Sequence, residues 1–218
     1  MAAAAEAAVW LADQPAWDCP LCPRLVAYRI SNRAAFPQWH NAPVPSFGPL
    51  DGRLLIVGLA PGLRGANRTG RPFTGDYAGV LLYETLLKHR FAHGHYGAEA
   101  DDGLELTGCR ISNAVRCAPP GNLPEPTEIR ACNMFLKSEV AAMPDLRAIL
   151  ALGVVAHQAV LRALGQKLSK FGFAHGAEHK LDGRILYDSY HVSRYNTNTG
   201  KLTAEMFDQV IAAIRVSI

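Results

Sequence analysis

Four cysteines are the residues of this 218-residue chain whose types and spacing most directly suggest chemistry. Cys19 and Cys22 form a C-x-x-C pair, and Cys117 and Cys132 form a second, wider pair. The loop between the later two can fold back and complete a four-thiolate site with the first pair. Structural zinc sites usually use two tight pairs, so we favour an iron–sulfur cluster over zinc. Burial without a metal is the alternative for all four, and it is our interpretation of Cys109.

A glycine-rich segment at residues 58–76, GLAPGLRGANRTGRPFTGD, is the second candidate. Glycine lets a backbone approach a ligand where side chains would clash, and backbone amides with arginines suit a phosphate or another anion. The spacing matches neither the dinucleotide-binding nor the Walker A pattern, which argues against a mononucleotide cofactor. A plain glycine-rich connection with solvated arginines is the alternative. The segment contains Gly58, Gly62, Gly65 and Gly70 together with Arg64, Arg68 and Arg71.

Phe73 and Asp76 lie near the end of this segment. Phe73 offers a flat face on which a base could stack, although it could also anchor the loop in the core. Asp76 is the only carboxylate of the segment and could position a water beside that base. An N-cap of the helix that starts nearby is an equally good interpretation of Asp76.

The elements that would position these residues alternate between strand and helix. Apolar, β-rich segments predict four strands, and apolar residues at helical spacing predict four helices. Strands that are apolar along most of their length predict a parallel sheet with helices on both faces, which is a three-layer α/β/α sandwich. Ligands of such sheets bind at the carboxyl ends of the strands, so the loops at residues 58–76, 116–127 and 190–203 should meet at one edge. The predicted strands span residues 53–58, 109–116, 148–152 and 184–189, and the predicted helices span residues 79–89, 128–143, 154–164 and 203–215.

The composition fits one globular domain over residues 1–218, because 49% of the residues are apolar and 19% charged. A formal net charge of +3 permits nucleic-acid binding without requiring it. No apolar run is long enough to cross a membrane, and the opening MAAAAEAAVWLA lacks a basic region, so it indicates a short helix or frayed end rather than a secretory signal. We therefore expect a cytoplasmic monomer without a membrane partner.

Four spaced elements together resemble the uracil-DNA glycosylase superfamily, and within it family 5, the type-B enzymes that carry an iron–sulfur cluster. The elements are GLAPG with GANRTGRPFTGD, NAVRCAPPGN, HVSRYNTNTG, and the C-x-x-C with two later cysteines. One such element alone is weak, but four in the expected order are specific. The resemblance implies a four-stranded parallel sheet with flanking helices and a structural [4Fe-4S] cluster held by Cys19, Cys22, Cys117 and Cys132.

The resemblance also implies that a deaminated base is flipped out of DNA, stacked on Phe73, held by the backbone of the first loop and read by Asn113 or Asn122. His191, in the H-V-S motif, would hydrogen-bond the base oxygen as negative charge develops there. A strand-end histidine bonded to backbone is the alternative. The implied catalytic set is Asp76, His191, Asn113 and Asn122, the base-binding set is Gly58, Ala60, Gly62, Phe73, Asn113 and His191, and the DNA-binding set is Arg64, Arg68, Arg71, Arg194, Tyr195 and Asn196.

Breaking an N-glycosidic bond develops positive charge on the sugar and negative charge on the departing base, so the site needs a carboxylate near the sugar and donors near the base. Other families of the superfamily carry a polar or acidic residue in the G-x-x-P motif, where this chain has Leu59 and Ala60. Asp76 is then the remaining carboxylate that could position water and stabilise the sugar. The resemblance predicts excision of uracil, and also of hypoxanthine and xanthine, by a monofunctional mechanism that leaves an abasic site.

Arg194 and Tyr195 would fill the gap left by the flipped nucleotide or contact phosphates. The departures from the family pattern are Arg64, Val192 and Tyr195, and they bear on substrate preference rather than on the reaction. A small-molecule hydrolase on the same fold and a non-catalytic iron–sulfur DNA-binding module are the alternatives. The arginines favour DNA over a free nucleoside, and the complete catalytic set favours an enzyme over a binding module.

Overall fold

The computed structural model describes residues 13–218 and has a five-stranded sheet at its centre. From edge to edge the strands are β4 (Cys109–Asn113), β1 (Leu54–Gly58), β5 (Ala148–Leu152), β7 (Arg184–Ser189) and β6 (Glu178–Leu181). The first four pair in parallel, which confirms the predicted parallel sheet. β6 pairs antiparallel with β7, so the predicted count of four strands is one short.

Strand β1 shows why the central strands are continuous apolar runs. All five of its residues are buried. Leu54 and Ile56 belong to one hydrophobic cluster, and Leu55 and Val57 belong to the other. Successive side chains of a strand point to opposite faces of the sheet, and both faces are covered here, so no position of β1 is left for a polar residue.

Seven α-helices occur within residues 13–218. They are α1 (Pro23–Ala35), α2 (Ala66–Thr69), α3 (Tyr77–Lys88), α4 (Pro126–Ala141), α5 (Val154–Ala163), α6 (Arg194–Asn198) and α7 (Ala204–Ser217). Buried side chains of α3 and α7 cover one face of the sheet, and those of α1, α4 and α5 cover the other. This arrangement confirms the predicted three-layer sandwich.

The four predicted helices are present as α3, α4, α5 and α7, with ends shifted by at most two residues. Helix α4 begins before the predicted residue because Pro126 occupies its first turn. Glu125 and Glu128 form a capping box there. The side chain of each glutamate accepts a hydrogen bond from the backbone N–H of the other. The apolar pattern alone gives no signal for this start.

Several elements were not predicted. Helix α1 buries Leu25 together with two polar residues, Arg29 and Asn32, so its buried face lacks an apolar period. The short helices α2 and α6 and a two-stranded hairpin of β2 (Ala92–His93) and β3 (Glu105–Leu106) were also missed. The opening MAAAAEAAVWLA lies outside the described residues. Within residues 13–218 no helix combines the length and the apolar character that a membrane crossing requires.

Candidate active site

Three loops meet above the carboxyl ends of the parallel strands, at the edge that the sequence predicts. They enclose an outer cavity of about 610 Å³, a volume typical of small-ligand sites. A narrow recess continues from this cavity into the protein. The outer cavity is lined by Leu59, Ala60, Gly62, Asp76, Tyr77, Ala78, Asn122, His191, Ser193 and Arg194. The recess is lined by Ala60, Pro61, Gly62, Ala66, Phe73, Asp76, Ala78, Asn113 and His191.

Phe73 is a buried side chain that lines the recess, so it is both a core residue and a cavity wall. Its backbone is in the left-handed region, with φ of +53°, and Tyr96 Oη donates a hydrogen bond to its carbonyl oxygen at 3.2 Å. Gly58 makes room for the ring. A Cβ at position 58 would lie 2.5 Å from Phe73 Cζ and 2.5 Å from Asn113 Oδ1. The glycine predicted to contact the base therefore shapes the recess from behind.

Asp76 caps α3 and also lines both cavities, so the two roles that the sequence left open do not exclude each other. Its Oδ1 accepts a hydrogen bond from the backbone N–H of Ala78 at 3.1 Å and caps α3. Its Oδ2 faces Gly62 and Gly65, where a Cβ would collide with it. The residue keeps solvent contact through the cavity mouth, yet the protein around the carboxyl desolvates it and raises its pKa. Backbone N–H groups of Ala78 and Gly79 oppose this rise.

His191 lies across the recess from Phe73, with the two ring centroids 6.1 Å apart. Desolvation lowers the pKa of its imidazole to about 4, so the ring is neutral at neutral pH. The backbone on its two sides is fixed, because Val192 is fully buried and Asn196 Nδ2 donates to the His191 carbonyl oxygen at 2.8 Å. A neutral imidazole in this position has one N–H to offer to a bound molecule.

The two candidate asparagines occupy different depths. Asn113, at the end of β4, is buried and lines the recess beside Phe73. Asn122 is exposed in the turn Pro120–Asn122, has φ of +57°, and lines only the outer cavity. Asn113 is thus placed at the depth of the aromatic face, whereas Asn122 is placed at the mouth.

Three of the predicted DNA-binding arginines lie at or near the rim. Arg64 and Arg194 are exposed. The guanidinium carbon of Arg194 is 5.6 Å from the centroid of the Tyr77 ring. Arg68 pairs with Glu99 at 2.9 Å, and both side chains are partly exposed, so this ion pair is weak enough to leave Arg68 available to a phosphate.

The prediction that Arg71 binds DNA is corrected by its surroundings. Its side chain is 5% exposed, and its two terminal nitrogens donate to the two carboxylate oxygens of Asp102 at 2.8 and 2.7 Å. Its Nε donates to Thr74 Oγ1 at 2.8 Å, and its guanidinium packs 5.5 Å from the centroid of Tyr83. Because these donors are used inside the protein, Arg71 holds the segment that carries Phe73 and has no face left for a phosphate.

The two remaining DNA-binding predictions concern residues of α6. Tyr195 is 74% exposed. Asn196 Nδ2 donates one of its two N–H groups to the His191 carbonyl oxygen, so the side chain supports the histidine loop and keeps a second N–H donor. The DNA contacts of both residues stay predictions.

Two tyrosines of the site were not predicted. Tyr77 lines the outer cavity, and its position directly after Asp76 is a signal that could have identified it. Tyr96 reaches the carbonyl oxygen of Phe73 from a separate loop, with its hydroxyl where a side chain at Gly79 would have to lie. No local sequence signal predicts that contact.

The four cysteines of the predicted metal site line one cavity on the α1 and α4 side of the sheet. Burial, joined by the neighbouring sulfurs, raises the pKa values of Cys117 and Cys132 to about 11 and about 12. The backbone N–H of Arg116 lies 3.4 Å from Cys132 Sγ, and Arg29 Nη1 lies 3.8 Å from Cys117 Sγ. Cys109 lies apart, where its thiol donates to the Phe91 carbonyl at 3.2 Å, in agreement with plain burial.

A second group of potential ligand atoms belongs to His157, His179 and Asp188, whose side-chain atoms lie within 4.8 Å of one another. His157 Nδ1 lies 2.8 Å from Asp188 Oδ1, and His179 Nε2 lies 2.9 Å from Asp188 Oδ2. These are ordinary distances for charge-assisted hydrogen bonds, so hydrogen bonding accounts for the group without a metal. Its members line neither the outer cavity nor the recess.

Comparisons with known proteins agree with this geometry. The profile of the uracil-DNA glycosylase superfamily matches residues 45–215. A type-5 uracil-DNA glycosylase of Thermus thermophilus is 47% identical over 200 residues, which cover 88% of this chain and 90% of the relative. The type-5 enzyme of Pyrobaculum aerophilum is 40% identical, covering 89% and 86%, and that of Mycobacterium tuberculosis is 43% identical, covering 88% and 75%. The chain therefore belongs to the uracil-DNA glycosylase superfamily, among the type-5 uracil-DNA glycosylases.

Proposed function

We propose that this chain removes uracil from DNA by hydrolysing the bond between the base and the sugar. The observation that carries the proposal is the convergence of an aromatic face, a carboxylate and a neutral imidazole in one recess, from Phe73, Asp76 and His191. The reaction needs a surface for the flipped base, a negative group near the sugar and a donor near the base. The names of the type-5 relatives support the same reaction.

The recess would hold the flipped base. Phe73 provides the stacking face, and the buried amide of Asn113 lies beside it with both a donor and an acceptor. Backbone at Ala60 and Gly62 completes the wall. Asn122, at the mouth, would contact the nucleotide outside the recess rather than the base edge.

Hydrolysis would use Asp76 and His191 on the two sides of the breaking bond. Asp76 orients a water whose oxygen bonds to the sugar carbon as the bond from that carbon to the base nitrogen breaks. The bonding electron pair leaves with the base, where the His191 N–H stabilises the growing negative charge on the base oxygen. The proton of the water passes through the Asp76 carboxylate to solvent. Among the residues of 13–218 that line the two cavities none is a lysine, which supports a monofunctional reaction that leaves an abasic site.

The substrate range would extend to hypoxanthine and xanthine. The side chains of Leu59 and Ala60, which line the cavity, are aliphatic and offer no hydrogen bond that would select one base over another. Uracil, hypoxanthine and xanthine each present a carbonyl beside a ring N–H, and the Asn113 amide can pair with that edge in all three. A recess that reads only this shared edge discriminates weakly among the three bases.

The DNA backbone would be held by arginines at the rim. Arg64 and Arg194 are exposed, and Arg68 can exchange its surface glutamate for a phosphate. Phosphate contacts fix the orientation of the duplex and make the affinity fall with salt. Tyr195, which is exposed beside Arg194, would occupy space vacated by the flipped nucleotide.

The four-cysteine cavity fits a structural [4Fe-4S] cluster. Four thiols that share one buried cavity would be costly as thiolates unless cations balanced their charge. Peptide and guanidinium N–H groups already face Cys132 and Cys117, as donors do around cluster sulfurs. Arg29 Nε is buried and has no hydrogen-bond partner within residues 13–218. Cys19, Cys22, Cys117 and Cys132 would hold the cluster, which would tie the segment before α1 to α4.

The chain would act as one domain and as a monomer in the cytoplasm. The two hydrophobic clusters together draw on residues from 25 to 214, which supports a single folding unit. Within residues 13–218 no disulfide joins any of the five cysteines, and proteins of a reducing compartment rarely contain disulfides. Light scattering of the purified protein at the size of one chain would test the monomer.

A single-turnover assay on labelled DNA with one uracil or one hypoxanthine, followed by alkali, tests the proposed reaction. We expect cleavage at the lesion, and we expect Asp76→Asn to slow it by about 10²–10⁴-fold while DNA affinity is kept. Asp101→Asn, which changes an exposed carboxylate outside both cavities, is the matched control. No cleavage of either DNA by the brown, iron-containing protein would favour a binding module or a small-molecule hydrolase instead.

A further inference from the structure

A large apolar side chain stands beside the mouth of the site and is mostly exposed. Leu123 is 73% exposed and follows Asn122, which lines the outer cavity. An exposed leucine is ordinary where its backbone is loose, because the side chain can then fold back on the surface. Here the backbone is held on both sides of the residue.

Arg24 is the residue that holds it. Its Nη2 donates to the Leu123 carbonyl oxygen at 3.0 Å and to Glu128 Oε2 at 2.7 Å, and its Nε donates to Glu128 Oε1 at 2.8 Å. The Leu123 N–H donates to the Pro120 carbonyl oxygen at 3.3 Å. The leucine is therefore presented on a fixed turn, between the cavity and the first turn of α4.

The sheet order sets Leu123 apart from Tyr195, another exposed residue beside a cavity-lining position. Leu123 follows β4, Tyr195 follows β7, and β1 and β5 lie between these strands. The two side chains therefore approach the mouth from opposite sides. A flipped nucleotide leaves a gap that has two flanking base pairs, and apolar wedges enter such gaps from a groove.

We propose that Leu123 is a positioning residue that enters the base stack beside the flipped nucleotide, and that Arg24 fixes it for that purpose. The inference rests on the proposed function, because a wedge is needed only if a nucleotide leaves the stack. Leu123 would enter the DNA base stack from the β4 side of the mouth, in addition to the insertion expected at Tyr195. The N-terminal end of α1, which begins just after Cys22 and contains Arg24, then also serves the DNA surface.

The test compares duplex with single-stranded DNA, each with one uracil, for Leu123→Ala. The wedge matters only where neighbouring bases are stacked and paired, so we expect the single-turnover rate on duplex to fall roughly 10-fold to 100-fold and the rate on single-stranded DNA to change less than about twofold. Leu123→Met keeps an apolar side chain of similar length and should restore duplex cleavage. Met134→Ala removes another exposed apolar side chain, on α4 and outside both cavities, and should leave both rates unchanged.

Arg24→Gln tests the anchor. It should lower duplex cleavage in the same direction as Leu123→Ala, and the double variant should be no worse than Leu123→Ala alone, because the anchor acts through the leucine. Equal loss on both DNA forms, or no loss on duplex with Leu123→Ala, would overturn the wedge. Failure of the unchanged protein to cut either DNA would instead overturn the proposed function, so the two failures are distinguishable.

Discussion

Two histidines, one on α5 and one just after β7, differ in their surroundings and in the direction of their pKa shifts. His157 lies between Asp188 Oδ1, at 2.8 Å, and the Phe171 carbonyl oxygen, at 3.0 Å. Both of its ring nitrogens thus face acceptors, and hydrogen bonding to Asp188 raises the pKa of the ring despite desolvation. His191, three residues after Asp188, has its pKa lowered to about 4 by desolvation. Burial lowers the pKa of both rings, and the carboxylate partner of His157 reverses the direction of the shift there.

The difference lies in what each ring can offer to a bound molecule. Both ring nitrogens of His157 are engaged inside the protein, by Asp188 and by the Phe171 carbonyl oxygen. The neutral ring of His191 faces the cavity and can donate to a bound molecule. Asp188 also lies within hydrogen-bond distance of His179, so two histidines that do not line the recess engage this carboxylate.

Removing the shared carboxylate should produce the largest effect. Asp188→Asn leaves His157 buried without its counter-charge, and we expect the free energy of unfolding to fall by about 3–5 kcal/mol, as when one partner of a buried ion pair is removed. Denaturant titration would measure the loss. Below the melting transition the variant should keep its uracil excision rate. A stability close to that of the unchanged protein would show that the group is not an ion pair.

Removing the neutral histidine should lower the excision rate strongly and the free energy of unfolding only slightly. His191→Ala deletes the donor to the base oxygen, and we expect the single-turnover rate of uracil excision to fall by about 10²–10³-fold, as when one oxyanion donor is lost. Its unfolding free energy should change far less than that of Asp188→Asn. Single-turnover kinetics at saturating enzyme, paired with the same denaturant titration, measure both quantities. A large loss of stability with a nearly unchanged rate would mean that His191 is structural.

The sequence predicts some of the elements around these two histidines and misses others. Strands β1 and β5 are evident because they are buried on both faces and are continuous apolar runs. β6 is missed because EHKL is an edge strand whose side chains mostly meet solvent. His191 is identified through its motif, but the chemistry of His157 depends on Asp188, 31 residues away, and on a carbonyl in a loop. No sequence signal near His157 or near Asp188 predicts their contact.

The same limit explains the errors at the site. Arg71 shares its glycine-rich segment with Arg64 and Arg68, and only the contact with Asp102, 31 residues later, distinguishes it from them. Asp76 shows the opposite situation. Capping a helix and facing a cavity were alternatives in the sequence, yet one oxygen does the first and the other oxygen does the second. Short-range geometry is predictable from residue type, whereas the partner across the fold is not.

The smallest expected effect is a pair of opposite pH dependences of stability. The folded-state pKa of His157 lies above its ordinary value of 6.5, so its stabilisation is fully present below pH 6.5 and is lost as the pH rises through the folded pKa. His191 has a folded pKa of about 4, so the unfolded chain binds its proton first, and stability is lost as the pH falls from 6.5 towards 4. Each contribution has a slope of at most about 1.4 kcal/mol per pH unit, the value for one proton.

Two variants assign these slopes. His157→Gln should flatten the alkaline side of the unfolding free energy and leave the acidic side unchanged, and His191→Ala should do the reverse. Both are measured by denaturant titration between pH 4.5 and pH 9, in buffers of about equal ionic strength so that screening of the other charges stays constant. If either variant flattened both sides, the two rings would titrate as one coupled group through Asp188. The contrast between a histidine whose pKa a carboxylate raises and one whose pKa desolvation lowers depends on that coupling being absent.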